Sequence, residues 1–107
     1  MVPLRLTHQN FELVTAEKNK PVLVEFWSEQ NESCRPMHKV VNRIAYELEG
    51  KAVTARLNVD ECPAIAQQFH VDVLPAFAVF RYGKLRSQAV GKLPKDDLIE
   101  LVLGKSS

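Results

Sequence analysis

Cysteine is scarce in this chain. Only Cys34 and Cys62 occur among its 107 residues, too few for a disulfide framework and without the paired spacing of a zinc site. Reactivity or plain burial is what remains for them. Long apolar runs are missing too: no segment approaches the roughly 18 apolar residues of a membrane span, and Met1-Val2-Pro3-Leu4-Arg5 shows no apolar stretch behind a charged head. A cytoplasmic protein is expected. Charge of one sign does not accumulate anywhere, since 14 basic and 13 acidic residues are scattered along the whole length. Nothing tracks phosphates or anionic lipid, so neither nucleic acid nor membrane is expected as a partner. Repeats, linkers and low-complexity segments are also absent. With 46% hydrophobic and 25% charged residues, residues 1–107 read as a single domain built on one core.

What is present is a series of well-punctuated elements. Leu4-Arg5-Leu6 reads as a short edge strand, and Thr7 as the N-cap of a helix bearing Phe11 and Val14, closed by Asn19 and Pro21. Pro21-Val22-Leu23-Val24-Glu25-Phe26-Trp27 is a nearly continuous apolar run, the pattern of a central strand covered on both faces, with Glu25 the odd residue inside it. A polar turn follows. Met37, Val40, Val41, Ile44, Ala45 and Leu48 then make one stripe of a helix of about four turns, which Gly50 stops. Ala52-Val53-Thr54-Ala55-Arg56-Leu57-Asn58-Val59 is a second buried strand, and Asp60-Glu61-Cys62-Pro63 starts a short helix carrying Ile65, Ala66 and Phe69. Ala76-Phe77-Ala78-Val79-Phe80 and Lys84-Leu85-Arg86-Ser87-Gln88-Ala89-Val90 form an antiparallel hairpin around Tyr82-Gly83. Pro94 opens the last helix, Asp96 and Asp97 occupy its first turn, Leu98, Leu101 and Val102 form its stripe, and Gly104 ends it.

The order is β-α-β-α-β-α, then β-β-α. Right-handed crossovers place helices on both faces of one mixed sheet, an α/β, three-layer α/β/α domain with about five strands and four helices. Helix starts that follow parallel strands gather at one sheet edge, where such folds bind ligands. The starts near Cys34 and Cys62 belong at that edge but pack on opposite faces, which argues against a direct Cys34–Cys62 disulfide.

The order and spacing of Phe26-Trp27 before the turn, Asn58-Val59-Asp60 before the third helix, Leu74-Pro75 before the hairpin, Gly83 in it and Val90-Gly91 after it resemble thioredoxin over almost the whole chain. The resemblance implies the thioredoxin fold, a part in thiol redox homeostasis, and a cis peptide at Leu74-Pro75. It also implies a substrate groove made by the turn with Trp27 and Gln30, by Leu74 and Pro75, and by Val90 and Gly91. No cofactor and no metal are implied; the partners would be protein clients or protein thiols, and the chain a monomer. The family's reaction uses a Cys-x-x-Cys pair, one exposed thiolate that attacks a substrate disulfide and a second thiol that resolves it.

Matched residue by residue, Asn31 stands where the attacking cysteine belongs and Cys34 is the resolving one. Gln30 replaces a second tryptophan, and Glu32-Ser33 replaces glycine-proline. Glu25 matches the family's buried acid, and Arg56 a nearby lysine. Glu25 is then either half of a structural ion pair with Arg56 or a proton acceptor for Cys34. The family's kinking proline is Lys39 here, and Pro36 appears earlier, so regular helix is expected from Glu32 or Ser33. That would bring Cys34 close to the positive helix end, favouring its thiolate beside Arg35; the alternative is a buried, inert thiol. His38, one turn on, either assists or is a solvated surface histidine. Cys62, also at a helix start, is a second acidified thiol or a small capping residue.

Two functions compete. One is a redox-impaired binding module that holds extended segments of partner proteins at the cis-proline groove; Phe26-Trp27-Ser28-Glu29 before a single cysteine resembles the thioredoxin-like domain of the chaperedoxin family, some of whose members have Ser-x-x-Cys. The other is a monothiol oxidoreductase in which Cys34 or Cys62 forms mixed disulfides that an external thiol resolves.

Overall fold

Strand alternation in β2 (Val22–Trp27) decides the layout. Successive strand side chains point to opposite faces. Val22, Val24 and Phe26 enter one apolar core and Leu23 the other, which leaves Glu25 and Trp27 on the face of Leu23. The computed structural model describes residues 2–104; Met1, at the head of the segment read for a leader, and residues 105–107 lie outside them.

β1 (Leu4–Arg5) and β2 run parallel to β3 (Val53–Asn58), which lies between them. β4 (Ala76–Arg81) runs antiparallel to β2 and to β5 (Lys84–Val90). The result is a five-stranded mixed sheet of order β1-β3-β2-β4-β5. α2 (Arg35–Glu47) and α4 (Lys95–Leu103) cover one face, burying Met37, Val41, Ile44, Leu98 and Val102 against Leu23, Phe77 and Val79. α1 (Phe11–Thr15) and α3 (Pro63–Gln68) cover the other, where Phe11 and Ile65 meet Val22, Phe26 and Phe80. Each such large side chain contributes about 1.5–3 kcal/mol by leaving water. The three-layer α/β/α architecture, with five strands and four helices, is the one expected from the sequence.

Turn chemistry fixes the hairpin. Tyr82 and Gly83 have φ of +56° and +77°, the left-handed pair whose twist matches a two-residue connection between antiparallel strands. Among the described residues no helix is long and apolar enough to cross a membrane.

Two helix starts differ from expectation. Thr7 caps the turn that leads into α1 rather than α1 itself: its N–H donates to Asn10 Oδ1 at 2.7 Å while Asn10 N–H donates to Thr7 Oγ1 at 3.2 Å, and Phe11 N–H donates to the Thr7 carbonyl at 3.1 Å. These reciprocal bonds close a separate turn, so the helix begins at Phe11 and ends at Thr15, well before Asn19. Regular α-helix starts not at Glu32 or Ser33 but at Arg35, after a 3-10 turn over Glu32–Cys34. Pro36 accounts for this, because a residue without N–H fits only the first turn of an α-helix.

Candidate functional site

β2 and β3 pair in register, Glu25 beside Arg56 and Trp27 beside Asn58, so their C-terminal ends finish together. The segment after β2 begins with Ser28, which is buried and donates to Asp60 Oδ2 at 2.6 Å, while Gln30 N–H donates back to Ser28 Oγ at 3.3 Å. The turn is thereby tied to the neighbouring strand's exit. Asn31 caps the 3-10 turn: its Oδ1 accepts from Ser33 N–H at 2.9 Å, the ordinary work of an N-cap carboxamide.

Cys34 follows at the N-cap of α2 and is only 1% exposed. Its thiol is not acidified. Burial pushes its pKa up, a hydrogen bond from the Ser28 backbone offsets this in part, and the charge of Glu25 adds to the rise. The expectation of a dipole-stabilised thiolate fails because burial outweighs a helix end that begins only at Arg35. Of the two readings of Cys62 the capping one holds: it is buried at the N-cap of α3, and desolvation followed by the Glu61 charge raises its pKa against smaller opposing effects of Arg5 and the His8 backbone. Both cysteines are free, and they border helices on opposite faces of the sheet.

These shifts carry a consequence for stability. Both thiols hold their protons more tightly in the folded chain, so their contribution is complete below the ordinary value of 9.0 and is lost as pH rises through the folded values. Urea denaturation between about pH 7 and 10 is expected to show stability falling above about pH 9, with a shallower fall in Cys34→Ala. An equally steep fall in that variant would place the effect elsewhere.

Behind Cys34 lies the charged group of the site. Glu25 is fully buried; its Oε1 accepts from Arg56 Nε at 2.7 Å, and its Oε2 lies 3.3 Å from His38 Nδ1. Arg56 also donates through Nη2 to the His38 carbonyl at 2.6 Å. The ring of His38 meets Trp27 edge-on, with centroids 4.9 Å apart at 86°. His38 is therefore no solvated surface residue: its side chain is 30% exposed and turned to the sheet. Trp27, Glu29, Asn31, Cys34, Arg35 and His38, with Ser28, line a cavity of about 290 Å³.

The residues of the expected groove are only partly gathered. Leu74-Pro75 is a cis peptide, and Pro75 is buried with its carbonyl accepting from Gly91 N–H at 2.7 Å. Val73 and Val90 stand exposed near this loop, at 56% and 58%. Val90 lines a separate cavity of about 260 Å³ with Val71 and Gln88, and Gln30, Leu74 and Gly91 line neither of the two. A larger cavity of about 660 Å³ lies on the opposite face, floored by Phe11, Phe69 and Phe80. Among the described residues no three His, Cys, Asp or Glu side chains are grouped to hold a metal ion.

Two features escaped the sequence reading, the His38–Glu25 contact and the Ser28–Asp60 bond. The second had a signal, because Ser28 and Asp60 each follow the end of a buried strand.

A family model described as thioredoxin matches residues 2–103. A thioredoxin of Chlorobaculum thiosulfatiphilum is 39% identical over 90 residues, covering 84% of this chain and 83% of its own. A thioredoxin of Rickettsia bellii is 31% identical over 97 residues, with 91% and 92% covered. Thioredoxin 1 of a Nostoc species is 33% identical over 94 residues, with 88% of each chain covered.

Proposed function

Because the chain belongs to the thioredoxin family, we propose that it serves thiol redox homeostasis in the cytoplasm as a redox-impaired binding module, a monomer holding extended segments of protein partners around the cis-proline loop. The observation that carries this reading is the state of the two motif residues. Asn31, at the position of the attacking thiol, is a capping carboxamide, and Cys34 is sealed from solvent with its pKa raised. A carboxamide forms no mixed disulfide, and a buried thiol attacks slowly because the thiolate is the nucleophile. The same burial weighs against the monothiol alternative through Cys34 or Cys62. Binding needs neither thiol: Val73 and Val90 offer apolar contacts beside the loop, suited to strand-like recognition of an extended chain. The single-cysteine turn after Phe26-Trp27-Ser28-Glu29 supports the likeness to the chaperedoxin domain.

The test pairs two assays. With insulin and a thiol reductant, the native chain and Cys34→Ser are expected to leave the reductant's own rate unchanged. With a reduced, carboxymethylated protein as a permanently extended probe, the native chain is expected to bind and Val90→Asp to bind at least about fivefold more weakly. Catalysis by the native chain that disappears in Cys34→Ser would overturn the proposal.

A further inference from the structure

We propose that Glu25 and His38 form an oriented carboxylate–imidazole pair whose second ring nitrogen, Nε2, is a proton-accepting group of the cavity beside the turn, placed to receive a hydroxyl or thiol from a bound partner. Only the source of that occupant, a partner protein's side chain, rests on the function proposed above.

Glu25 Oε2 and His38 Nδ1 are both buried without a hydrogen-bond partner of ordinary geometry among the described residues, and they face each other at 3.3 Å. Two lone pairs in that position would leave both atoms unsatisfied, so a proton lies between them. With the Arg56 guanidinium already on Oε1 at 2.7 Å, the proton belongs to the nitrogen. An imidazole carrying its proton on Nδ1 keeps a lone pair on Nε2.

Nε2 itself makes no hydrogen bond among the described residues. Since Nδ1 is buried against Glu25 while the side chain is 30% exposed, the accessible part of the ring is the side away from the carboxylate. That is the side that borders the cavity with Trp27, Asn31, Cys34 and Arg35. Trp27 packs edge-on against the imidazole and limits its swing. Asn31 Oδ1 already accepts from Ser33 N–H, which leaves it a single free lone pair. The charges around the ring are Glu25 and Arg56 behind it and Glu29 and Arg35 in the cavity wall. A volume of about 290 Å³ admits one side chain up to the size of tyrosine, and an imidazole nitrogen with a free lone pair pairs with a protic group.

Long-range proton–nitrogen correlation spectra of the native chain at about pH 8, where an unpaired imidazole is neutral, read the tautomer directly. His38 is expected in the Nδ1–H form; an Nε2–H form would overturn the pair, and a ring protonated on both nitrogens would overturn the acceptor role. The occupant is tested with p-cresol and with toluene, which has its shape but no hydroxyl. Saturable displacement of the His38 Nε2 signal by p-cresol alone is expected, and binding read from the indole signal of Trp27, which lines the same cavity, is expected to be at least about fivefold weaker in His38→Gln. Equal effects of the two probes, or no saturable effect of p-cresol, would overturn the assigned occupant. Neither measurement involves a protein partner or a disulfide, so both results can stand even where the binding-module reading fails.

Discussion

An Asn31→Cys variant is expected to reduce insulin disulfides at least about 100-fold faster than the native chain, a modest part of the roughly 10⁶-fold that removing a covalent nucleophile can cost. The scaffold favours this gain. Residue 31 is half-buried at the cap of the 3-10 turn, with Ser33 N–H aimed at its side chain, and a thiol there meets a donor that stabilises a thiolate. Cys34 sits one turn further on, suited to resolve the mixed disulfide. Loss of the carboxamide cap costs about 1 kcal/mol, small against the stability of a domain of this size. Insulin turbidity with a thiol reductant checks the rate, and Asn31→Cys/Cys34→Ser is expected to stall as a mixed disulfide visible by mass. An inactive Asn31→Cys protein that folds would mean the turn itself, through Gln30 or Glu32-Ser33, has lost competence.

The second large effect concerns stability. Arg56→Met is expected to destabilise the chain by about 3 kcal/mol, the lower end of what breaking a buried pair costs. The lower end applies because the Arg56 side chain is 22% exposed while Glu25 is 0% exposed. What the variant leaves behind is a fully buried carboxylate in an apolar strand whose one remaining charged or polar neighbour among the described residues is the His38 imidazole, 3.3 Å from Oε2. The loss should fall steeply in Glu25→Gln/Arg56→Met, since an amide is cheaper to bury than a carboxylate that has lost its guanidinium partner. Urea denaturation of the two variants checks this. Equal losses in both would show that Arg56 acts through the His38 carbonyl rather than through Glu25.

Much of this arrangement was legible in the residues. The apolar run from Val22 to Trp27 marked a central strand, and Glu25 within it marked a buried charge whose partner, Arg56, lies directly across the paired register. Tyr82-Gly83 and Gly104 announced their turns because few residues tolerate positive φ. The helix start was misread, since Pro36 limits where an α-helix begins but says nothing of the tighter turn before it. The thiols stay open in the sequence, acidified or plainly buried, for a related reason: helix ends are visible there, whereas the burial that outweighs them depends on distant packing. His38 shows the same limit. Its helix position was clear, but its contact with Glu25 requires α2 to cross the sheet above β2 and β3, a relation set by Met37, Val41 and Ile44 meeting Leu23 and Phe77.

The hydrogen bond from Ser28 to Asp60 bears on how fast and how selectively a partner could be held. With Ser28 fixed to the next strand's exit and Asn31 fixed to Ser33, the turn has little freedom left to lose when something docks against it. Association then carries a smaller ordering cost, and recognition becomes a matter of fitting a shape already formed. A surface of that kind discriminates by rejection, excluding segments that would require the turn to bend.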